Sequence, residues 1–111
     1  MELTDLKLPW KVIDPKYAVA AVIELKKELG PRHPLKRKNV KAIANRCDCD
    51  DVLFYLMDEE PACAVVHLTH RNGEEPDPKW PFTRLFTSIE EWKRRCLTPD
   101  VEDYQAGELY S

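Results

Sequence analysis

Apolar side chains are densest between Asp50 and Thr69, where two runs of residues fit extended strands. Side chains in a strand point to opposite faces in turn, and both faces of both runs carry apolar residues. A strand of this kind needs cover on both sides. The pattern therefore predicts two paired strands at the centre of the core, joined by an acidic loop at residues 58–61.

A helix is predicted ahead of these strands. Asp14 followed by Pro15 is typical of a helix start, because Asp caps free N–H groups and Pro fits the first helical position. Gly30 is a typical stop. One buried face follows from apolar residues at helical spacing: Ala18, Val22, Leu25 and Leu29. Glu28 falls outside that face.

The segments that flank the helix are extended or looped. Residues 1–13 are predicted as an extended lead-in that packs Trp10 on the core, and Pro9 argues against a central strand there. A proline-rich basic loop spans 30–39, and residues 40–46 are predicted to form a strand, with a short helix as the alternative.

The C-terminal part is predicted to add a short strand at residues 82–86 and a second helix. Ser88 and Glu91 match a capping box at its start, and Pro99 is expected to end it before an acidic tail. The result is a single α+β domain over 1–111: an antiparallel meander of three or four strands, with both helices on one face. Trp80, in the loop at residues 70–81, is expected to cover the other face or one edge of the sheet.

Composition fits one globular domain of 111 residues, with 43% hydrophobic and 33% charged residues. The sequence has neither an apolar run long enough to span a membrane nor the pattern of a signal peptide. A cytoplasmic location is therefore expected, and the four cysteines are expected to be reduced.

Charge is unevenly placed along the chain. Residues 1–46 hold 11 Lys/Arg against 5 Asp/Glu, whereas residues 47–111 hold 6 against 15. An acidic surface steers association with a basic partner. The predicted partner-binding residues are those of two acidic turns and one aromatic residue: Asp48, Asp50, Asp51, Asp58, Glu59, Glu60 and Trp80.

A basic segment provides the alternative function, nucleic-acid binding through phosphate contacts. Its candidate residues are Arg32, Lys36, Arg37, Lys38 and Lys41. Aromatic residues, which readers of single strands use for stacking, do not interleave with them.

Metal and catalytic chemistry form a second alternative, centred on His67. Cys47 and Cys49 are closer together than in common zinc motifs, and His67 and His70 would point to opposite faces of a strand. Cys63 and His67 lie about 13 Å apart along a strand, too far for a nucleophile and its base. The acidic neighbours of Cys49 disfavour its thiolate. Catalytic residues, metal ligands and cofactors are therefore predicted to be absent.

Several short motifs resemble a family of short stand-alone bacterial proteins for which no activity is established. They are D-D-V-L-F-x-L at 50–56, A-V-V-H-L-T at 64–69, P-K-W-P-F-T at 78–83, S-I-E-E-W at 88–92 and P-D-x-x-D-Y at 99–104. The resemblance extends upstream through 25–35 and 40–44. It implies a soluble single-domain bacterial protein and transfers no site.

These observations favour a small non-catalytic protein-interaction module, with an immunity or antitoxin-like role as one version. The expected partner is a protein with a basic surface. A homodimer through the apolar sheet face is a further possibility.

Overall fold

The computed structural model describes residue 3 and residues 6–57, 62–71 and 73–110. Within these ranges the chain forms one antiparallel sheet and two helical regions. The elements are β1 (Trp10–Val12), α1 (Pro15–Glu28), β2 (Val40–Arg46), β3 (Asp51–Leu56), β4 (Cys63–His67), β5 (Phe82–Phe86), α2 (Ile89–Trp92), a π-helical segment (Lys93–Leu97) and α3 (Thr98–Tyr110). The strands lie side by side in sequence order, which confirms the α+β meander but gives five strands rather than three or four.

The additional strand is β1, inside the segment predicted as an extended lead-in. Trp10 pairs with Arg46 of β2, and β1 is an edge of the sheet. Pro9 is tolerated because it precedes the strand. Trp10 packs on the core as predicted and is fully buried.

The helices lie on opposite faces of the sheet, so the prediction that both lie on one face is wrong. α1 packs with Val52, Phe54 and other residues of that face in one buried cluster. Leu53 and Val65 point the other way and pack with Ile89 and Trp92 from the C-terminal helix. The chain therefore covers the central strands on both faces itself, without the Trp80 loop. A homodimer through the apolar sheet face stays a prediction.

α1 begins as the sequence predicts, with the Asp14 side chain accepting the Lys16 N–H at 2.9 Å. Its end holds an unpredicted feature, because Glu28 is completely buried. The two Glu28 carboxylate oxygens accept the backbone N–H groups of Thr69 at 2.9 Å and His70 at 3.0 Å. The Glu28 carbonyl accepts the N–H of Glu75 at 3.0 Å. Glu28 thus fixes the loop after β4 to the end of α1.

The C-terminal helix starts at the predicted capping box, where the Ser88 hydroxyl accepts the Glu91 N–H at 3.0 Å. It does not end at Pro99, and α2, the π-helical segment and α3 follow one another without a break. Proline deprives the Arg95 carbonyl of its usual helical donor. The wider π turn and the Arg84 guanidinium, which donates to the Arg95 carbonyl at 3.4 Å, accommodate this loss.

None of the helices in the described ranges is long and apolar enough to cross a membrane. The four cysteines are free thiols, with Cys47 and Cys49 exposed and Cys63 and Cys96 buried.

Candidate interaction groove

An open apolar groove of about 970 Å³ runs between α1 and the β1–β2 edge of the sheet. Its floor includes Ile13 and Ala42, which are buried in the core. Among the described residues that line it, Lys41 alone carries a charge. We call this feature the α1 groove; its lining is Leu3, Val12, Ile13, Pro15, Ala18, Val19, Val22, Ile23, Val40, Lys41, Ala42 and Ile43.

Three aliphatic side chains on the walls of the groove face solvent. Val12 is 57% exposed, Val19 63% and Ile23 52%. Val19 and Ile23 are four residues apart and therefore neighbours on the same flank of α1. Single exposed apolar residues are ordinary, but a contiguous apolar surface marks an interaction site. Val12, Val19 and Ile23 line one groove together with the half-buried Val22, so that its walls are apolar.

A smaller basic recess of about 310 Å³ lies farther along α1 and shares Val40 with the groove. Its floor is made by Leu25, Leu29 and Leu35, all buried. The side chains around it include four cations: Lys26, Lys36, Arg37 and Lys38. The apolar groove is therefore positively charged at the end toward the C-terminus of α1.

The basic loop is held in place by His33, which is buried. The Leu35 N–H donates to His33 Nδ1 at 3.0 Å, so Nε2 carries the proton and donates to the Pro81 carbonyl at 3.1 Å. Burial lowers the pKa of His33, and the ring is neutral at pH 7. Lys36 also donates to the Leu29 carbonyl at 3.0 Å. Of the nucleic-acid candidates, Arg32, Arg37 and Lys41 remain exposed.

The first predicted acidic cluster is engaged within the protein. Asp48 forms a two-bond ion pair with Arg46 at 2.8 Å, which lowers the Asp48 pKa. Asp51 Oδ1 is hydrogen-bonded to His67 Nδ1 at 2.7 Å, and Asp50 Oδ1 lies 3.6 Å from His70 Nε2. The Arg46 guanidinium offsets the charge of Asp48, which is therefore less available to a basic partner. The second cluster, Asp58, Glu59 and Glu60, lies outside the described residues.

Trp80 lies at the edge of the sheet, which is one of its two predicted positions, and not over the second face. It is 46% exposed, and its ring centroid is 6.5 Å from that of Phe82 in the edge strand β5. Leu85 of the same strand is also exposed. That Trp80 binds a partner stays a prediction.

The buried thiols are unsuited to nucleophilic catalysis. Burial raises the pKa of both Cys63 and Cys96 to about 12, so they are protonated at neutral pH. Cys49 also has a raised pKa, first through burial and then through the charges of Asp51 and Asp48. His67 is exposed beside Asp51, but neither the α1 groove nor the basic recess includes it.

Two groups of side chains have metal-ligating atoms close together: Cys49, Asp51 and His67, and Glu24, Glu28 and His70. In the second group both Glu28 oxygens already accept backbone N–H groups. A hydrogen bond between Glu24 and Glu28 is the main cause of the raised pKa of Glu24. The Glu28 carboxylate in that group is therefore already engaged by the backbone, whereas the first group offers ligands of three chemical types.

Among the residues that line the groove, Lys41 was a predicted site residue, as a nucleic-acid contact, but the exposed Val12, Val19 and Ile23 were not. The available signal was the position of Val19 and Ile23, which are apolar yet lie outside the stripe of Ala18, Val22, Leu25 and Leu29. A solvent-facing flank of α1 is expected to be polar at these positions.

In comparisons with protein-family models, curated proteins and solved structures, nothing matches this chain. The function is therefore argued from the geometry of the molecule.

Proposed function

We propose that this protein is a non-catalytic interaction module that binds an acidic amphipathic helix of a partner protein in the α1 groove. The observation that carries the proposal is that the exposed apolar side chains of Val12, Val19 and Ile23 line one open cleft of about 970 Å³. Clefts of this type accept the apolar face of a helix, whose anchors recur every three or four residues.

The positive charge at the end of the groove favours a partner helix that carries acidic residues. Lys41 lines the groove, and Lys26 and Arg37 line the recess that continues it. A helix with apolar anchors on one face and Asp or Glu near one end would bury its anchors against α1 and place its carboxylates beside these cations. Complementary charges of this kind raise the association rate and fix the register.

The length of α1 limits the size of the bound segment. Its 14 residues span roughly 21 Å at 1.5 Å per residue. A partner helix of three to four turns is of similar length. A basic partner for the acidic turns and an immunity or antitoxin-like role stay predictions. The internal pairing of Asp48 and Asp51 makes the turn at residues 48–51 a weaker surface than the α1 groove.

The test is affinity capture with three forms of the purified protein: wild type, Ile23→Asp and Leu85→Asp. Both substitutions place a carboxylate on an exposed apolar site, one in the groove and one at the β5 edge. The captured protein should be retained by wild type and Leu85→Asp and lost with Ile23→Asp. Its contact segment, mapped by cross-linking, should be an acidic amphipathic helix.

Equal retention by wild type and Ile23→Asp would contradict the proposal. Loss of the captured protein with Leu85→Asp alone would also contradict the proposal, because it would place the interaction at the β5 edge of the sheet beside Trp80. A contact segment that is basic or extended would also refute the stated partner chemistry.

A further inference from the structure

The turn between β2 and β3 and the end of β4 bring together a thiol, a carboxylate and an imidazole. One ligand atom each from Cys49, Asp51 and His67 lies within 4.8 Å of the other two. Cys49 and His67 are exposed and Asp51 is half-buried. This set is separate from the α1 groove, because none of the three residues lines it.

Sheet register positions two of these residues. Asp51, the first residue of β3, is paired with His67, the last residue of β4. Cross-strand neighbours on one face have Cβ atoms about 5 Å apart. The Asp51 Oδ1 and His67 Nδ1 atoms are accordingly 2.7 Å apart. The turn that leads into β3 then places Cys49 beside this pair.

The donor set identifies the class of metal. A thiolate, an imidazole nitrogen and a carboxylate oxygen are the three ligand types that Zn²⁺ takes in proteins, at about 2.0–2.3 Å. Tetrahedral geometry at these bond lengths separates ligand atoms by roughly 3.5 Å. The Asp51 and His67 atoms, now hydrogen-bonded at 2.7 Å, need to separate by roughly 0.8 Å, and the Cys49 Sγ atom, within 4.8 Å of them, needs to approach by up to about 1.3 Å. Side chains in a turn and at a strand end can make changes of this size by rotating about their χ angles. Hard cations such as Mg²⁺ and Ca²⁺ prefer oxygen ligands and do not suit this set.

We propose that Cys49, Asp51 and His67 form a three-ligand site for one Zn²⁺ ion. The fourth coordination position faces solvent and takes a water molecule. The bound ion ties the β2–β3 turn to the end of β4.

The experiment is a calorimetric titration of the reduced full-length protein with Zn²⁺, followed by Co²⁺ as a spectroscopic probe. Wild type should bind one equivalent of Zn²⁺ with a micromolar or lower Kd. The Co²⁺ form should show thiolate-to-cobalt charge-transfer absorption. Cys49→Ser and His67→Ala should each weaken Zn²⁺ binding at least about tenfold, and Cys49→Ser should abolish the charge-transfer band.

Two matched controls separate this site from its neighbours. Cys47→Ser changes an exposed thiol two residues away, and His70→Ala changes the imidazole of the Glu24–Glu28 group. Both should bind Zn²⁺ as wild type does, and circular dichroism should show all four variants folded.

The proposal is overturned if wild type binds no Zn²⁺ at about 100 μM. It is equally overturned if Cys49→Ser and His67→Ala bind as wild type, or if Cys47→Ser or His70→Ala removes binding. None of these outcomes bears on the α1 groove, whose test uses a different readout.

Discussion

Replacing Glu28 by Ala tests the buried contact that joins α1 to the loop after β4. The side chain has no exposed surface, and its carboxylate accepts two backbone N–H groups, from Thr69 and His70. Alanine removes both acceptors while leaving a good helix former at the last position of α1.

The expected loss of stability follows from the two donors left without a partner. A buried polar group without a hydrogen bond costs about 1–3 kcal/mol. Thr69 is half-buried and His70 is exposed, so water restores part of this loss. We therefore expect Glu28→Ala to lower the free energy of unfolding by about 2–3 kcal/mol. Glu28→Gln keeps one acceptor oxygen and should lose roughly half as much.

Urea unfolding, followed through the fluorescence of the buried Trp10 and Trp92, measures these differences as shifts in the midpoint. Glu74→Ala in the same loop is the control, because Glu74 is exposed and should change stability by less than about 0.5 kcal/mol. Amide exchange should accelerate at residues 69 and 70 in Glu28→Ala. A change in stability for Glu28→Ala as small as that of the control would refute this account of the contact.

Two further predictions concern the ends of the helices. Gly30→Ala should lower the free energy of unfolding by about 1–3 kcal/mol, because the new Cβ would lie 2.5 Å from the Glu75 carbonyl oxygen. Gly107→Ala should raise it by up to about 1 kcal/mol, because the new Cβ has no heavy atom from beyond its own helix turn within 4 Å. Melting temperatures equal to that of wild type would contradict both predictions. Glu24→Gln should stabilise the protein at pH 7 by about 0.3–0.5 kcal/mol, because a hydrogen bond with Glu28 raises the pKa of Glu24 and ionisation therefore opposes folding. The gain should vanish at about pH 3, where Glu24 is protonated in both the folded and unfolded states; a gain independent of pH would contradict the raised pKa of Glu24.

Local signals account for the elements that could be predicted from the sequence. The Asp14–Pro15 start of α1, the Ser88 cap and the alternating strands each depend on residues within a few positions of one another. The start of α1 and the bounds of β2 and β5 were accordingly predicted closely.

Features that depend on distant partners could not be predicted in this way. β1 is a strand because Trp10 pairs with Arg46 of β2. Glu28 is buried where its carboxylate accepts the backbone N–H groups of residues 69 and 70. The face that each helix covers is decided by how the whole chain packs. The helix continues through Pro99 with a π turn before it, and the Arg95 carbonyl there accepts a hydrogen bond from Arg84 of β5, a residue distant in sequence.

The same limit applies to the candidate sites. Acidic residues could be counted, but the pairing of Asp48 with Arg46 and of Asp51 with His67 appears only in the folded chain. Cys49 and His67 are 18 positions apart, and strand register brings them together.

The most direct test of groove binding is a fluorescence-anisotropy titration with two labelled helical peptides. Both carry leucines at positions i, i+3, i+4 and i+7, and they differ only in having Glu or Lys at the polar positions near one end. The acidic peptide should bind at least about tenfold more tightly than the basic one, and Ile23→Asp should weaken it by about tenfold or more, while Leu85→Asp should not. Equal affinity for the two peptides, or affinity unchanged by Ile23→Asp, would contradict the account.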